Sequence, residues 1–129
     1  MRPIVGLIII LAGCESLGPC SDYGEQRSWI GTFSGDDEGT MDVLFIQDKN
    51  VGRDFGGSLS GTWEGLFGEG VLSGELVCKS GSVLGVDMRS VDGACDGSFS
   101  GTLGPYSGGG SWRTYCDGDV TLEGIWSLD

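Results

Sequence analysis

The 129-residue sequence contains no histidine and has only 7 lysines and arginines against 19 aspartates and glutamates, so its formal net charge is −12. Without histidine, the chain cannot form a Ser-His-Asp or Cys-His catalytic site, nor a metal site with histidine ligands. The few basic residues are scattered and do not form the positive patch that nucleic-acid binding requires. We therefore expect neither an enzyme, nor a cofactor or metal, nor a nucleic-acid partner.

A bilayer span takes about 20 consecutive apolar residues. The run Ile4–Leu11 is far shorter than that, so we do not expect it to span a membrane. This run follows a single positive charge at Arg2 and leads through Leu-Ala-Gly to Cys14. A positive charge, a short hydrophobic stretch and small residues are typical of an export signal. A buried strand with an incidental cysteine is the competing interpretation, and the terminal position of the run favours the signal.

The segment resembles the lipobox of bacterial lipoproteins, in which Leu-Ala-Gly-Cys marks the signal-peptide cleavage site. The resemblance implies that residues 1–13 are removed and that Cys14 carries a thioether-linked diacylglycerol and an N-acyl chain such as palmitate. Several acyl chains together hold a protein stably on a lipid bilayer. We therefore expect a protein of the bacterial cell envelope, lipid-anchored through Cys14, and Glu15 at the next position favours the outer membrane.

The cysteine count fits this compartment. The five cysteines are an odd number, and lipidation of one leaves an even set suited to disulfides in an oxidising periplasm or at the cell surface. A metal site is disfavoured, because the sequence has no C-x-x-C pair and no histidine. The four remaining cysteines, which allow three pairings, are Cys20, Cys78, Cys95 and Cys116.

From Ser28 onward, eight short runs alternate with period two between an apolar and a polar face, and none shows helical spacing. The polar faces are mostly Ser, Thr, Asp and Glu, which is typical of an antiparallel sheet with one wet side. The predicted inward-facing residues other than Gly, Thr and Cys are Trp29, Phe33, Met41, Val43, Phe45, Leu59, Trp63, Leu72, Leu76, Leu84, Val86, Met88, Phe99, Leu103, Trp112, Val120, Leu122, Trp126 and Leu128.

Many of the 26 glycines fall on the same apolar face as the tryptophans and phenylalanines. Small and large residues alternate in this way inside small barrels, and glycine in a strand permits bending. Regular strand spacing with short turns predicts a meander that closes to remove its edges. We expect an all-β domain over 28–129, an antiparallel up-and-down eight-stranded β-barrel stapled by disulfides, after a lipidated cysteine and flexible tether over 14–27.

The hairpin between the sixth and seventh strands fixes a register. A turn at Gly104–Ser107 places Cys95 opposite Cys116 and Phe99 opposite Trp112, each pair on the apolar face. We therefore predict a disulfide between Cys95 and Cys116.

The other two cysteines belong to the opposite end of the predicted barrel. Cys20 precedes the first strand and Cys78 ends the fourth, so a disulfide between them is predicted. If the fifth strand were only a loop, a bond between Cys78 and Cys95 would become the alternative.

The phrase Gly57–Trp63, read as Gly-Ser-Leu-Ser-Gly-Thr-Trp within an eight-stranded meander, resembles the calycin-type barrels and above all the avidins. The resemblance lies in the residue pattern of the strands over about 100 residues, and it implies an eight-stranded barrel. The biotin-contact residues of avidins do not align with this chain, so no ligand residues are carried over. An eight-stranded barrel is either filled by side chains or holds one small ligand.

Candidate residues for a small apolar ligand are Trp29, Trp63, Trp112 and Trp126, since aromatic side chains dominate apolar pockets. Core filling is the favoured alternative, because a small domain needs its large side chains for stability. We expect a non-enzymatic lipoprotein whose barrel binds a small ligand or presents a surface to a protein or other partner of unknown identity. A structural envelope component with a solid barrel is one alternative. A barrel of the protease-inhibitor kind, with 15–27 as its arm, is another.

Overall fold

The computed structural model describes residues 20–48 and 56–129. The predicted signal segment and Cys14 lie outside the described residues. The eight strands are β1 Gln26–Gly35, β2 Gly39–Asp48, β3 Gly56–Gly65, β4 Glu69–Val77, β5 Ser82–Ser90, β6 Cys95–Leu103, β7 Gly108–Cys116 and β8 Val120–Leu128.

The strands form one closed barrel in the order β1 to β8. Each strand pairs antiparallel with the next, and β1 pairs with β8 to close the sheet. This confirms the predicted all-β, up-and-down, eight-stranded barrel. The first strand begins at Gln26, two residues before the position that the alternation indicates.

The sixth and seventh strands pair in the predicted register, with Cys95 opposite Cys116 and Phe99 opposite Trp112. Cys95 and Cys116 form a disulfide with their Cα atoms 4.1 Å apart. The register prediction and this disulfide are therefore confirmed.

A second disulfide joins Cys20 to Cys78, with their Cα atoms 5.1 Å apart, as predicted. Because Cys20 precedes β1 and Cys78 follows β4, this bond lies at the end where β1 starts. We call this the proximal end. The opposite end, which carries the Cys95–Cys116 bond and the turns β1–β2, β3–β4, β5–β6 and β7–β8, is the distal end.

The alternation places a single hydrophobic core inside the barrel. Outward positions carry mainly Ser, Thr, Asp and Glu, so each strand is dry on one side and wet on the other. The buried hydrophobic residues are Cys20, Tyr23, Trp29, Phe33, Met41, Val43, Phe45, Leu59, Trp63, Leu72, Leu76, Cys78, Val83, Met88, Phe99, Leu103, Trp112, Trp126 and Leu128.

The fifth strand departs from the predicted alternation. Leu84 was predicted to face inward, but it is exposed and Val83 is buried instead. The reason is a β-bulge, because the pairing of β5 shifts by one residue against both β4 and β6, and an extra residue reverses the face of the residues before it. The prediction for Val120 is also wrong, since this first residue of β8 is exposed.

Glycine permits the close approach of β8 to β1 at the closing seam. Gly124 lies opposite Gly35 of β1 and Trp112 of β7. A Cβ atom at Gly124 would overlap the carbonyl oxygen of Ser34 and press on Nε1 of Trp112. The seam therefore closes only around a residue without a side chain.

We expect Gly124→Ala to destabilise the protein by about 2–3 kcal/mol, because the added methyl group forces the backbones of β1 and β8 apart. Urea unfolding followed by tryptophan fluorescence measures the change. Gly68→Ala is the matched control, since a Cβ atom at Gly68 meets nothing within 4 Å. Equal loss of stability in the two variants would contradict the close-approach explanation.

Candidate functional site

The four tryptophans that the sequence offers as ligand-lining residues all lie inside the barrel. Their side chains are between 2 and 6% exposed and belong to the one hydrophobic core. Two of them contact the same ring edge to face, because the centroid of Phe33 is 6.2 Å from that of Trp63 and 5.6 Å from that of Trp112. Phe99 contacts Trp126 in the same geometry at 5.2 Å. Such contacts are those of a packed aromatic core.

Two of the indoles also hydrogen-bond the barrel wall. Nε1 of Trp112 donates to the carbonyl oxygen of Ser34 at 3.2 Å, and Nε1 of Trp126 donates to that of Ser100 at 2.9 Å. Each bond fixes a large side chain in one orientation. These tryptophans are held as parts of the wall rather than left free to line a cavity.

The other two indoles have a different environment. Among the described residues, Nε1 of Trp29 and Nε1 of Trp63 are buried and have no hydrogen-bond partner. An unpaired buried donor costs about 1–3 kcal/mol, so the packing of the ring outweighs this cost at both positions. Trp29 and Trp63 therefore contribute to the core through their volume.

The segment before β1 closes the proximal end of the barrel. Cys20 and Tyr23 are buried, and the Tyr23 hydroxyl donates to the carbonyl oxygen of Leu103 at 2.6 Å. The Tyr23 ring contacts Trp29 and Phe45, with centroids 6.4 and 5.6 Å away. Residues 20–25, predicted as part of a flexible tether, thus include a plug of the barrel mouth.

Burial raises the pKa of Tyr23 above its ordinary value of 10.0, and the neighbouring Asp22 carboxylate raises it further. The phenol therefore stays protonated at neutral pH and remains a hydrogen-bond donor. The plug depends on this protonated form, because a phenolate could not donate to Leu103.

At the distal end, the β1–β2 turn carries a buried acidic side chain. Asp37 is buried, and its Oδ1 accepts hydrogen bonds from the backbone N–H of Glu38 at 2.8 Å and of Leu66 at 2.9 Å. The second of these bonds ties the β1–β2 turn to the β3–β4 turn.

Two grooves among the described residues lie on the outside of the barrel. One, of about 510 Å³, crosses β6–β8 beside the ion pair of Arg113 with Glu123. Another, of about 650 Å³, crosses β1–β3 beside Ile30. Both are wide open to solvent, so neither encloses a small ligand as a binding site normally does.

Neither a metal centre nor a membrane helix emerges from residues 20–48 and 56–129. In these ranges no three Cys, Asp or Glu residues are grouped so that they could hold a metal ion. The same ranges contain no helix with the length and apolarity that crossing a membrane requires.

The distal turns carry the surface feature that the sequence analysis missed. Leu66, Phe67 and Val91 are 73, 71 and 74% exposed, although apolar residues in turns between polar strands are uncommon. The signal was present in the sequence, since Leu66 and Phe67 stand between two glycines, outside the period-two pattern. None of the three residues belongs to the predicted inward-facing set, and the sequence analysis assigned them no role.

No protein-family model, no curated protein sequence and no solved structure matches this chain.

We expect Tyr23→Phe to destabilise the protein by about 1–2 kcal/mol at pH 7, because the Leu103 carbonyl loses its buried donor. The folded-state pKa of Tyr23 is raised, so its contribution is complete below pH 10 and is lost as the pH rises through the folded-state pKa. Denaturant unfolding at pH 7 and above pH 10 should show the two proteins converging at alkaline pH. Tyr106→Phe, at an exposed tyrosine, is the control and should match the wild type at both pH values. A stability difference at pH 7 that disappears above pH 10 in this variant too would contradict the explanation.

We expect Asp37→Ala to cost about 1–3 kcal/mol, because the N–H groups of Glu38 and Leu66 lose their acceptor in a partly buried turn. Asp37→Asn keeps an oxygen at the Oδ1 position and should lose less than half as much. Thermal unfolding measured by circular dichroism compares the two variants. An equal loss of thermal stability in both variants would mean that the charge of Asp37, rather than its hydrogen bonds, stabilises the distal turns.

Proposed function

We propose that this protein is a bacterial lipoprotein without enzymatic activity, anchored in the outer membrane through acylated Cys14, whose solid barrel presents its distal end to a partner. The observation that carries the proposal is the filled and closed barrel. With large side chains inside and Tyr23 bound across the proximal mouth, recognition is assigned to the outer surface.

The path of the chain supports an orientation of the barrel on the membrane. Five residues, 15–19, separate Cys14 from Cys20, which the disulfide fixes at the proximal end. A fully extended chain from Cys14 to Cys20 reaches about 20–22 Å. In a lipidated protein, the proximal end therefore faces the bilayer at short range and the distal turns point away from it.

Charge supports the same arrangement. The chain is strongly acidic, and a negative surface is repelled by anionic lipid headgroups. The barrel is therefore held at the membrane by its acyl chains and not by its own surface.

The structure gives less support to the other two roles considered from the sequence. A small apolar ligand would need space that Trp29, Trp63, Trp112 and Trp126 now occupy. An inhibitory arm of the protease-inhibitor kind would need a free N-terminal segment, but Cys20 and Tyr23 are buried in the barrel mouth.

Replacement of Cys14 tests the anchor. In a Gram-negative host, the wild-type protein should sediment with membranes, and mass spectrometry of its N-terminal peptide should show diacylglycerol and an acyl chain on Cys14. Cys14→Ser should abolish this lipid mass, because serine offers no thiol for the thioether. Cys20→Ser is the control, since it removes a cysteine and leaves the lipobox intact. An unlipidated wild-type N-terminus would contradict the proposal.

A further inference from the structure

Three strongly exposed apolar residues lie on two neighbouring distal turns. Leu66 and Phe67 lie in the β3–β4 turn and Val91 begins the β5–β6 turn. The second turn is tied to the end of the first, because the N–H of Val91 donates at 2.9 Å to the carbonyl oxygen of Glu69, the first residue of β4. We call Leu66, Phe67 and Val91 the distal patch.

The distal patch is held in place before any partner binds. The N–H of Leu66 donates to Oδ1 of Asp37 at 2.9 Å and lies 3.3 Å from the carbonyl oxygen of Glu38. On the other side, Oδ1 of Asp92 accepts from the N–H of Ala94 at 2.9 Å. A surface ordered in advance loses little conformational entropy on binding. Hydrogen bonds therefore order the backbone of both turns.

Negative charge surrounds the distal patch. The four distal turns together carry no lysine or arginine. Their carboxylates are Asp36, Asp37, Glu38, Asp92, Asp117 and Asp119. Glu38, Asp117 and Asp119 are exposed, so the rim of the patch is available to a positively charged group.

This charge excludes two of the possible occupants. A second copy of the chain, meeting the patch with its own distal end, would bring two sets of carboxylates together, and like charges oppose such an interface. An anionic lipid surface is repelled for the same reason. An apolar centre with an acidic rim is complementary to an apolar segment that carries lysine or arginine.

We propose that the distal patch docks a basic amphipathic segment of a protein partner, with apolar side chains on Leu66, Phe67 and Val91 and cationic side chains on the carboxylates around them. The proposal deepens the proposed function by naming the partner class, and it rests on that function only for the direction in which the distal end points.

The test captures the full chain on a biosensor surface through an affinity tag after Asp129. Because β8 ends at the proximal end, the distal turns then face the solution, whether or not Cys14 is lipidated. The probes are a synthetic peptide of alternating lysine and leucine pairs and an oligolysine of equal charge. A failed lipid anchor and a failed docking surface therefore give separate readouts.

We expect the lysine–leucine peptide to bind the wild type and to lose about tenfold or more in affinity for the double variant Leu66→Ser/Phe67→Ser, since anchor residues dominate such interfaces. The matched control is Ile30→Ser/Ile125→Ser, which removes two isoleucines that are equally exposed on the barrel side and should change affinity less than twofold.

Charge gives a second arm of the same test. Neutralising the rim with Glu38→Gln, Asp117→Asn and Asp119→Asn should weaken both probes, and added salt should do the same. Oligolysine should be insensitive to the patch variant, because it has no apolar side chains. Absence of peptide binding to the wild type, or equal loss in the patch and barrel-side variants, would overturn the proposal. Circular dichroism confirms that each variant is folded.

Discussion

The limited width of a closed eight-stranded barrel is the constraint on which the rest of this structure depends. The interior of such a barrel is just wide enough for side chains to fill it. Three of the four tryptophans pair with a glycine on one neighbouring strand, namely Trp63 with Gly70, Trp112 with Gly124 and Trp126 with Gly110. Gly124 opposite Trp112 shows the principle at the closing seam, where even a methyl group would overlap Ser34. These glycines therefore leave room on the apolar face beside three of the four tryptophans.

Much of the fold could be predicted from local pattern, because period-two alternation decides which face of each strand lies inside a closed barrel. The turn at Gly104–Ser107 aligns Cys95 with Cys116, and the disulfide adds a second, independent constraint on that register. The bulge in β5 was beyond such reasoning. Whether Leu84 or Val83 faces inward depends on how β5 matches β4 and β6 at the same time, and no single run of residues contains that information.

In the candidate site, too, the local residue pattern predicts some features, whereas others depend on residues that are distant in sequence. Tyr23 lies in a segment without periodicity, and its role as a plug depends on Leu103, 80 residues away in sequence. The four tryptophans could be assigned to the interior from their alternation, but only atomic positions decide between packing and a cavity. Leu66 and Phe67 were visible as exceptions to the pattern. Their importance arises from the turn of Val91 beside them, which the sequence does not place there.

In the proposed lipid-anchored protein, the bond between Cys20 and Cys78 has a mechanical consequence. Without the disulfide, a force on the N-terminus would act first on β1. This strand shares fewer paired residues with β8 than β7 does, so the barrel would open at the β1–β8 seam. Here the covalent bond transmits the force directly to the end of β4, which lies three strands away from β1 in the barrel. Tension in the tether therefore acts on the barrel as a whole and spares the seam at which it closes.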